Sequence, residues 1–238
     1  LENFGRLGAD NRFLSSIGRT LYYTGLATVI PLVLGLFAAM VFHQHFPLRG
    51  LLRTAYTLPM MATPVAIALV WTMMFHPQIG VLNYLLSLIG LPKSLWVYAP
   101  DTVIPALVLV EVWQWTPLVM LIVLGGLASL PIDPYESAVI DGAPSLDLFR
   151  FITLPLILPY LMVALILRGI DAIKAFDIIY VISSGGPGTA SETINLYLYV
   201  QAFQFFQIGH SSAVVIVFFA LIVALTLVLV WARERLRW

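Results

Sequence analysis

The chain of 238 residues contains no cysteine, and only 10% of its residues are charged. The first absence excludes disulfides, thiolate metal sites and a cysteine nucleophile. The second excludes an ordinary soluble domain, in which about 25% of residues are charged. Lysine is nearly missing, with Lys93 and Lys174 as its two representatives. Neither completes a Gly-x4-Gly-Lys pattern, so there is no phosphate-binding loop. No Gly-x-Ser-x-Gly elbow exists to frame the adjacent His210 and Ser211 as a serine hydrolase. The twelve basic and twelve acidic residues cancel, and nothing points to nucleic acid as a partner. His43 and His45 sit together in a short basic loop and read as surface residues rather than metal ligands. No internal repeat and no low-complexity tract is visible.

What is present is apolar: 61% of residues are hydrophobic and the mean hydropathy is +0.96. Five long apolar runs cover residues 17–42, 54–75, 102–124, 156–182 and 212–231. They have the length of membrane helices and lack the alternation of barrel strands. The expectation is an all-α, polytopic membrane helix bundle with five spans in a single domain over residues 1–238.

The loops set an orientation. Arg49 and Arg53 follow the first run, Arg150 lies between the third and fourth, and Arg233, Arg235 and Arg237 follow the fifth. With alternating spans these segments share one side, which the positive-inside rule makes the cytoplasm. The opposite loops hold Lys93 and no other Lys or Arg. The C-terminus is then cytoplasmic and the N-terminus outside, against the vote of Arg6, Arg12 and Arg19. Residues 1–16 are expected as an external segment with a short helix. The loop at about 183–210 is expected outside too. Within it, residues 189–207 carry Tyr197, Tyr199, Phe203, Phe205 and Phe206 and read as an amphipathic surface helix. The chain begins at Leu1 rather than Met and without a signal-peptide apolar region, so a longer parent chain is expected.

The cytoplasmic loop at about 128–155 has its own local logic. Asp133 is placed as an N-cap, Pro134 at the first helical position, and Glu136 to close a capping box. Gly142 is placed to stop the helix with positive φ. Ser145 is then expected to cap a second short helix over 146–152. Two readings stand on these residues: a helix resting on lipid headgroups, or a projection that another protein approaches closely over Ala138, Gly142 and Ala143.

A resemblance separates them. Glu136-Ser137-Ala138-Val139-Ile140-Asp141-Gly142-Ala143, followed by Phe149, Ile152, Leu154-Pro155 and Pro159, closely resembles the signature of ATP-binding-cassette importer permeases. Ser137 stands where that signature usually has Ala. Asp141 is typical of the carbohydrate-uptake branch. Asp177, Tyr180, Ser184-Gly185-Gly186-Pro187, Thr193, Tyr197, Tyr199 and Ala202-Phe203 resemble one permease subunit of the maltose and glycerol-phosphate type. The resemblance implies a type I permease fold with six spans in the full protein. It implies a second permease subunit, two ATP-binding subunits and an external solute-binding protein as partners. The solute would be a small sugar or polyol, and ATP and Mg would be used by the partner subunits, with no cofactor on this chain. Tyr135, Glu136, Ser137, Ala138, Asp141, Gly142, Ala143 and Pro155 would then carry the coupling to the ATPase, through the helix at 134–142.

Charges inside apolar runs are costly in lipid and mark pairing or function. Arg168, Asp171, Lys174 and Asp177 alternate in sign at a spacing of three, and Glu111 stands beside Trp113, Gln114 and Trp115. On one continuous helix the four turn about 60° per step and cannot share one face. They read as a self-neutralising i,i+3 ladder, or in part as the lining of a solute path together with Glu111. A self-contained secondary transporter or channel is the competing function.

Overall fold

The structure is a computed structural model and describes residues 2–235. Among these residues every regular element is helical. The chain begins with α1 (Glu2–Ala9), and Asp10 then caps α2 (Asn11–His43). The Asp10 carboxylate accepts from the backbone N–H of Arg12 at 2.8 Å and of Phe13 at 3.2 Å. This cap starts the helix six residues ahead of the apolar run. Residues 11–16 are therefore helical and continuous with the first apolar run. At 33 residues, α2 is about 50 Å long and overhangs a hydrocarbon core of roughly 30 Å.

The second apolar run is not one helix. It splits into α3 (Arg49–Thr57), a 3-10 turn (Leu58–Met61) and α4 (Pro64–Met74), bent by 97°. Ala62 and Thr63 are extended, as the residue before a proline must tend to be. The broken backbone keeps a partner: Gln114 Nε2 donates to the Ala62 carbonyl at 3.3 Å. Next come α5 (Val81–Leu88) and the long α6 (Pro100–Ala128).

The cytoplasmic loop of the sequence reading forms α7 (Asp133–Ile140), and its start differs from expectation. Ile132 takes helical angles and occupies the cap position, so Asp133 is already inside the helix and its side chain caps nothing. The helix stop is as expected. Gly142 has φ +77°, its N–H donates to Val139 O, and Ala143 N–H donates to Ala138 O. This is a Schellman closure. Pro144, not Ser145, precedes the following turn α8 (Ser145–Asp147). No separate second helix forms. The chain continues through a π turn (Leu148–Thr153) directly into α9 (Leu154–Ile173). Pro155 offers no N–H to the turn below it, and there the backbone widens so that Leu154 N–H donates to Phe149 O.

The fourth run also ends early. Lys174 leaves α9, Phe176 is non-helical, and α10 (Asp177–Ser183) is a separate helix. The segment 189–207, expected as a surface helix, gives α11 (Ile194–Tyr199) and a π turn (Val200–Gln204), with Ile194, Leu196, Tyr197 and Gln201 buried. Helix α12 (Ile208–Arg235) closes the described chain. Leu236, Arg237 and Trp238, part of the basic C-terminal cluster, lie outside the described residues, as does Leu1. Among the described residues four helices are long and apolar enough to cross a membrane, or five crossings if the bent pair is one.

Helices α2 and α6 run parallel at the centre: a Cβ on Gly35 would lie 2.6 Å from Val119, so the two backbones approach closely. One core joins Tyr23, Ala27, Trp71, Phe75 and Leu107 near the start of α6. A second joins Ala39, Met120, Val123, Ile157 and Leu161 towards its end. Helix α9 returns antiparallel against both, and α12 packs on α9.

Candidate functional site

Two regions hold the residues singled out from the sequence, and α9 belongs to both. The first is a cleft of about 320 Å³ lined by Glu111, Trp115, Arg168, Asp171, Lys174 and Asp177, with Pro64 and Phe176 on its rim. All five charged residues singled out from the sequence line this one cleft. The break after Ile173 is the reason, because it re-aims Asp177 away from the position a continuous helix would dictate.

The pairing differs from a ladder. Arg168 Nη2 donates to Glu111 Oε2 at 2.8 Å and to the Ala27 carbonyl on α2 at 3.2 Å. Its guanidinium also stands 5.2 Å from the Trp115 ring centroid. The two side chains are 1% and 6% exposed, so the cation and the carboxylate neutralise each other where water is scarce. Lys174 and Asp171 are 3.8 Å apart and half exposed, a pair of little energetic weight. Asp177 has no basic partner within reach among the described residues. Arg168 Nε is buried without a hydrogen-bond partner among them.

Sequence reasoning missed the contribution of α2. Ser16, Thr20, Thr24 and Thr28 are all buried, forming a stripe at i,i+4 that faces the bundle. That stripe was a readable sign that this face of α2 packs on protein rather than lipid. Thr20 Oγ1 accepts from Ile194 N–H at 2.9 Å and so ties α2 to α11. Near the same end Arg12 holds Glu192 with two bonds of 2.8 and 2.6 Å. The Tyr197 hydroxyl donates to Asp10 Oδ2 at 2.7 Å and lies 2.8 Å from His210 Nε2. Burial acts against the Asp10 charge, but the Tyr197 hydroxyl and two backbone N–H donors outweigh it and hold the carboxyl below its usual range. Burial, and then the bond to Asp10, push the Tyr197 hydroxyl well up.

The second region is α7 and its surroundings. Glu136, Ser137, Asp141 and Gly142 are exposed, and Tyr135, Ala138 and Ala143 are half-buried. Pro155 lies outside this helix, in the first turn of α9. Ile132, Val139, Ile140, Leu146 and Phe151 present large apolar side chains to the exterior. Between α7 and the span ends lies a cavity of about 490 Å³ lined by Met40, His43, Leu127, Tyr135 and Thr153.

The geometry is thus a bundle of bent and unbroken apolar helices with a charged cleft within it and the glycine-stopped α7 at one end. Residues 32–237 match the family described as binding-protein-dependent transport system inner membrane component, and the chain belongs to that family, the multi-pass transmembrane subunits of ATP-driven importers. It is 36% identical to the trehalose/maltose transport system permease protein MalF of Thermococcus litoralis, over 96% of this chain and 77% of that protein. It is 33% identical to the sulfoquinovosyl glycerol transport system permease protein SmoG of Agrobacterium fabrum, over 95% and 74%. The fold matches a chain of a bacterial ABC transporter involved in alginate import, with a TM-score of 0.89 at 24% identity, covering 99% of this chain and 83% of that one.

Proposed function

We propose that this chain forms half of a translocation pathway for a neutral sugar or related polyol. A second permease subunit supplies the other half, two cytoplasmic ATP-binding subunits drive it, and an external solute-binding protein delivers the solute. ATP and Mg act in the partner subunits, and this chain binds no cofactor of its own. Helix α7 with Gly142 docks in the ATPase, through the exposed Glu136 and the apolar side chains around it. The α7 end faces the cytoplasm, and the end carrying Asp10, Glu192 and the 183–210 loop faces outward.

The observation that carries this reading is the convergence of Glu111, Arg168, Asp171, Lys174 and Asp177 on one cleft of a helix that also leads to α7. The relative named for trehalose and maltose supports a sugar. The charges favour a neutral one. Both cations already stand beside carboxylates, and an anion would have to displace one of those acids. The half-exposed Asp171 carboxylate and the Trp115 and Phe176 rings suit hydroxyl groups and pyranose faces.

The test is co-expression with the candidate partner subunits, followed by reconstitution. The ATP-binding subunits should copurify, and uptake of labelled maltose or trehalose should require ATP and the binding protein. Solute movement by this chain alone, without any ATPase, would point instead to a self-contained carrier.

A further inference from the structure

Helix α7 is held to the rest of the chain by very little. Among the described residues its one side-chain hydrogen bond to another element runs from the Tyr135 hydroxyl to Thr153 Oγ1, at 3.0 Å. The Ser137 hydroxyl bonds only back to Asp133 O within the same helix. No ion pair among the described residues involves α7. Behind it lies the 490 Å³ cavity, whose wall includes Tyr135 and Thr153 themselves. The helix therefore overhangs space into which it can tilt, with a single polar tether.

The tether ends at a distinctive place. Thr153 is buried and is the last residue of the π turn (Leu148–Thr153). Its hydroxyl also lies 3.3 Å from Leu148 O, the first carbonyl of that turn. Wide turns of this kind recur at functional sites. Thr153 leads without a break into α9, whose other end carries Arg168, bonded to Glu111 and Ala27 O. One rigid rod thus joins the tether to the buried ion pair of the cleft.

We infer that Tyr135 and Thr153 are positioning residues that transmit α7 movement to α9, with the hydroxyl–hydroxyl bond as the point of transfer. This rests on the reading of α7 as the ATPase contact. A pull on α7 reaches the π turn through Tyr135, and α9 tilts against α2 and α6. The shear falls on the bond between Arg168 and Glu111. A tether of one hydrogen bond shifts a two-state population by about five-fold.

The test uses the full complex in lipid nanodiscs. Spin labels on Leu34→Cys of α2 and Leu167→Cys of α9, both exposed in this chain, report the distance between the two helices. Trapping with ATP and vanadate should change that distance in the otherwise wild-type complex. In Tyr135→Phe the ATPase should copurify in full and hydrolyse ATP, while the population that shifts falls about five-fold. Thr153→Val should do the same, Thr153→Ser should retain the shift, and the double variant should be no worse than either single. A full shift in Tyr135→Phe, strictly additive losses, or no shift in the unsubstituted chain would each overturn the inference. Failure of the ATPase to copurify with the unsubstituted chain would instead remove the underlying reading of α7.

Discussion

Arg168 on α9 and Glu111 on α6 meet at 2.8 Å with both side chains buried, 57 residues apart in sequence. Each is the other's neutralising partner, and each is isolated from water. Removing either strands a charge in the bundle, which costs about 3–5 kcal/mol. Arg168→Met should therefore lower the folded abundance sharply, and Glu111→Gln should do likewise. The double variant should recover much of the loss, measured as detergent-stable protein per cell. By contrast, Asp171→Ala and Lys174→Ala, from the half-exposed pair, should each change abundance little.

Gly142 stands at φ +77°, and a β-carbon added there would have nothing within 4 Å, so a side chain at this position meets backbone strain and no neighbour. Gly142→Ala should cost on the order of 1 kcal/mol locally. Gly142→Trp should insert and accumulate like the native chain, because no span changes. It should nevertheless lose the ATPase on purification and lose uptake. Native uptake by that variant would refute α7 as the docking element.

Gly35 carries a different constraint. A β-carbon there would lie 2.6 Å from Val119 Cβ and 3.0 Å from Met120 N, so α2 and α6 must separate to accept it. Gly35→Val should destabilise the bundle by about 1–3 kcal/mol. A thermal-unfolding midpoint equal to that of the native chain would show that the helices part without cost.

The cluster of Asp10, Tyr197 and His210 predicts a pH window. The Asp10 carboxyl is held below its usual value, so its contribution is complete above the unfolded pKa and is lost as pH falls through the folded one. The Tyr197 hydroxyl is pushed up, so its contribution is complete below the unfolded value and is lost as pH rises through the folded one. Protease resistance of the α1 segment should therefore hold at neutral pH. It should weaken below about pH 4, and weaken again above about pH 10. Tyr197→Phe should abolish the alkaline limb and also shrink the acid one, because the lost hydroxyl is a main donor to the Asp10 carboxylate.

Sidedness has a direct check, since the chain has no native cysteine. Ser145 and Gln207 are both exposed, at opposite ends of the bundle. In intact cells an impermeant maleimide should modify Gln207→Cys and spare Ser145→Cys. The reverse pattern would invert the chain and place α7 beyond the reach of a cytoplasmic ATPase.

Much of the architecture was legible because membrane helices announce themselves by apolar length. The runs behind α2, α6, α9 and α12 were readable without any contact information, since lipid demands about 20 apolar residues per crossing. The α7 stop was legible for a local reason as well: positive φ at Gly142 and the two bonds that close around it depend on a few consecutive residues. Its start was not. Whether Ile132 or Asp133 caps depends on how Pro131 and Leu130 leave α6, which is a tertiary matter.

Length, polarity and local backbone chemistry were enough to mark a helical membrane protein with a glycine-stopped helix at α7, and the motif from Glu136 to Gly142 added the resemblance to permeases. Which charge pairs with which is set by the packed bundle. The i,i+3 spacing of Arg168 and Asp171 offered a partner one turn away, yet Arg168 is bonded to Glu111 across the bundle. A break after Ile173 turned the lower half of the series towards the cleft. Helix breaks and cross-helix ion pairs depend on the space left by other elements, and no window of sequence contains that space.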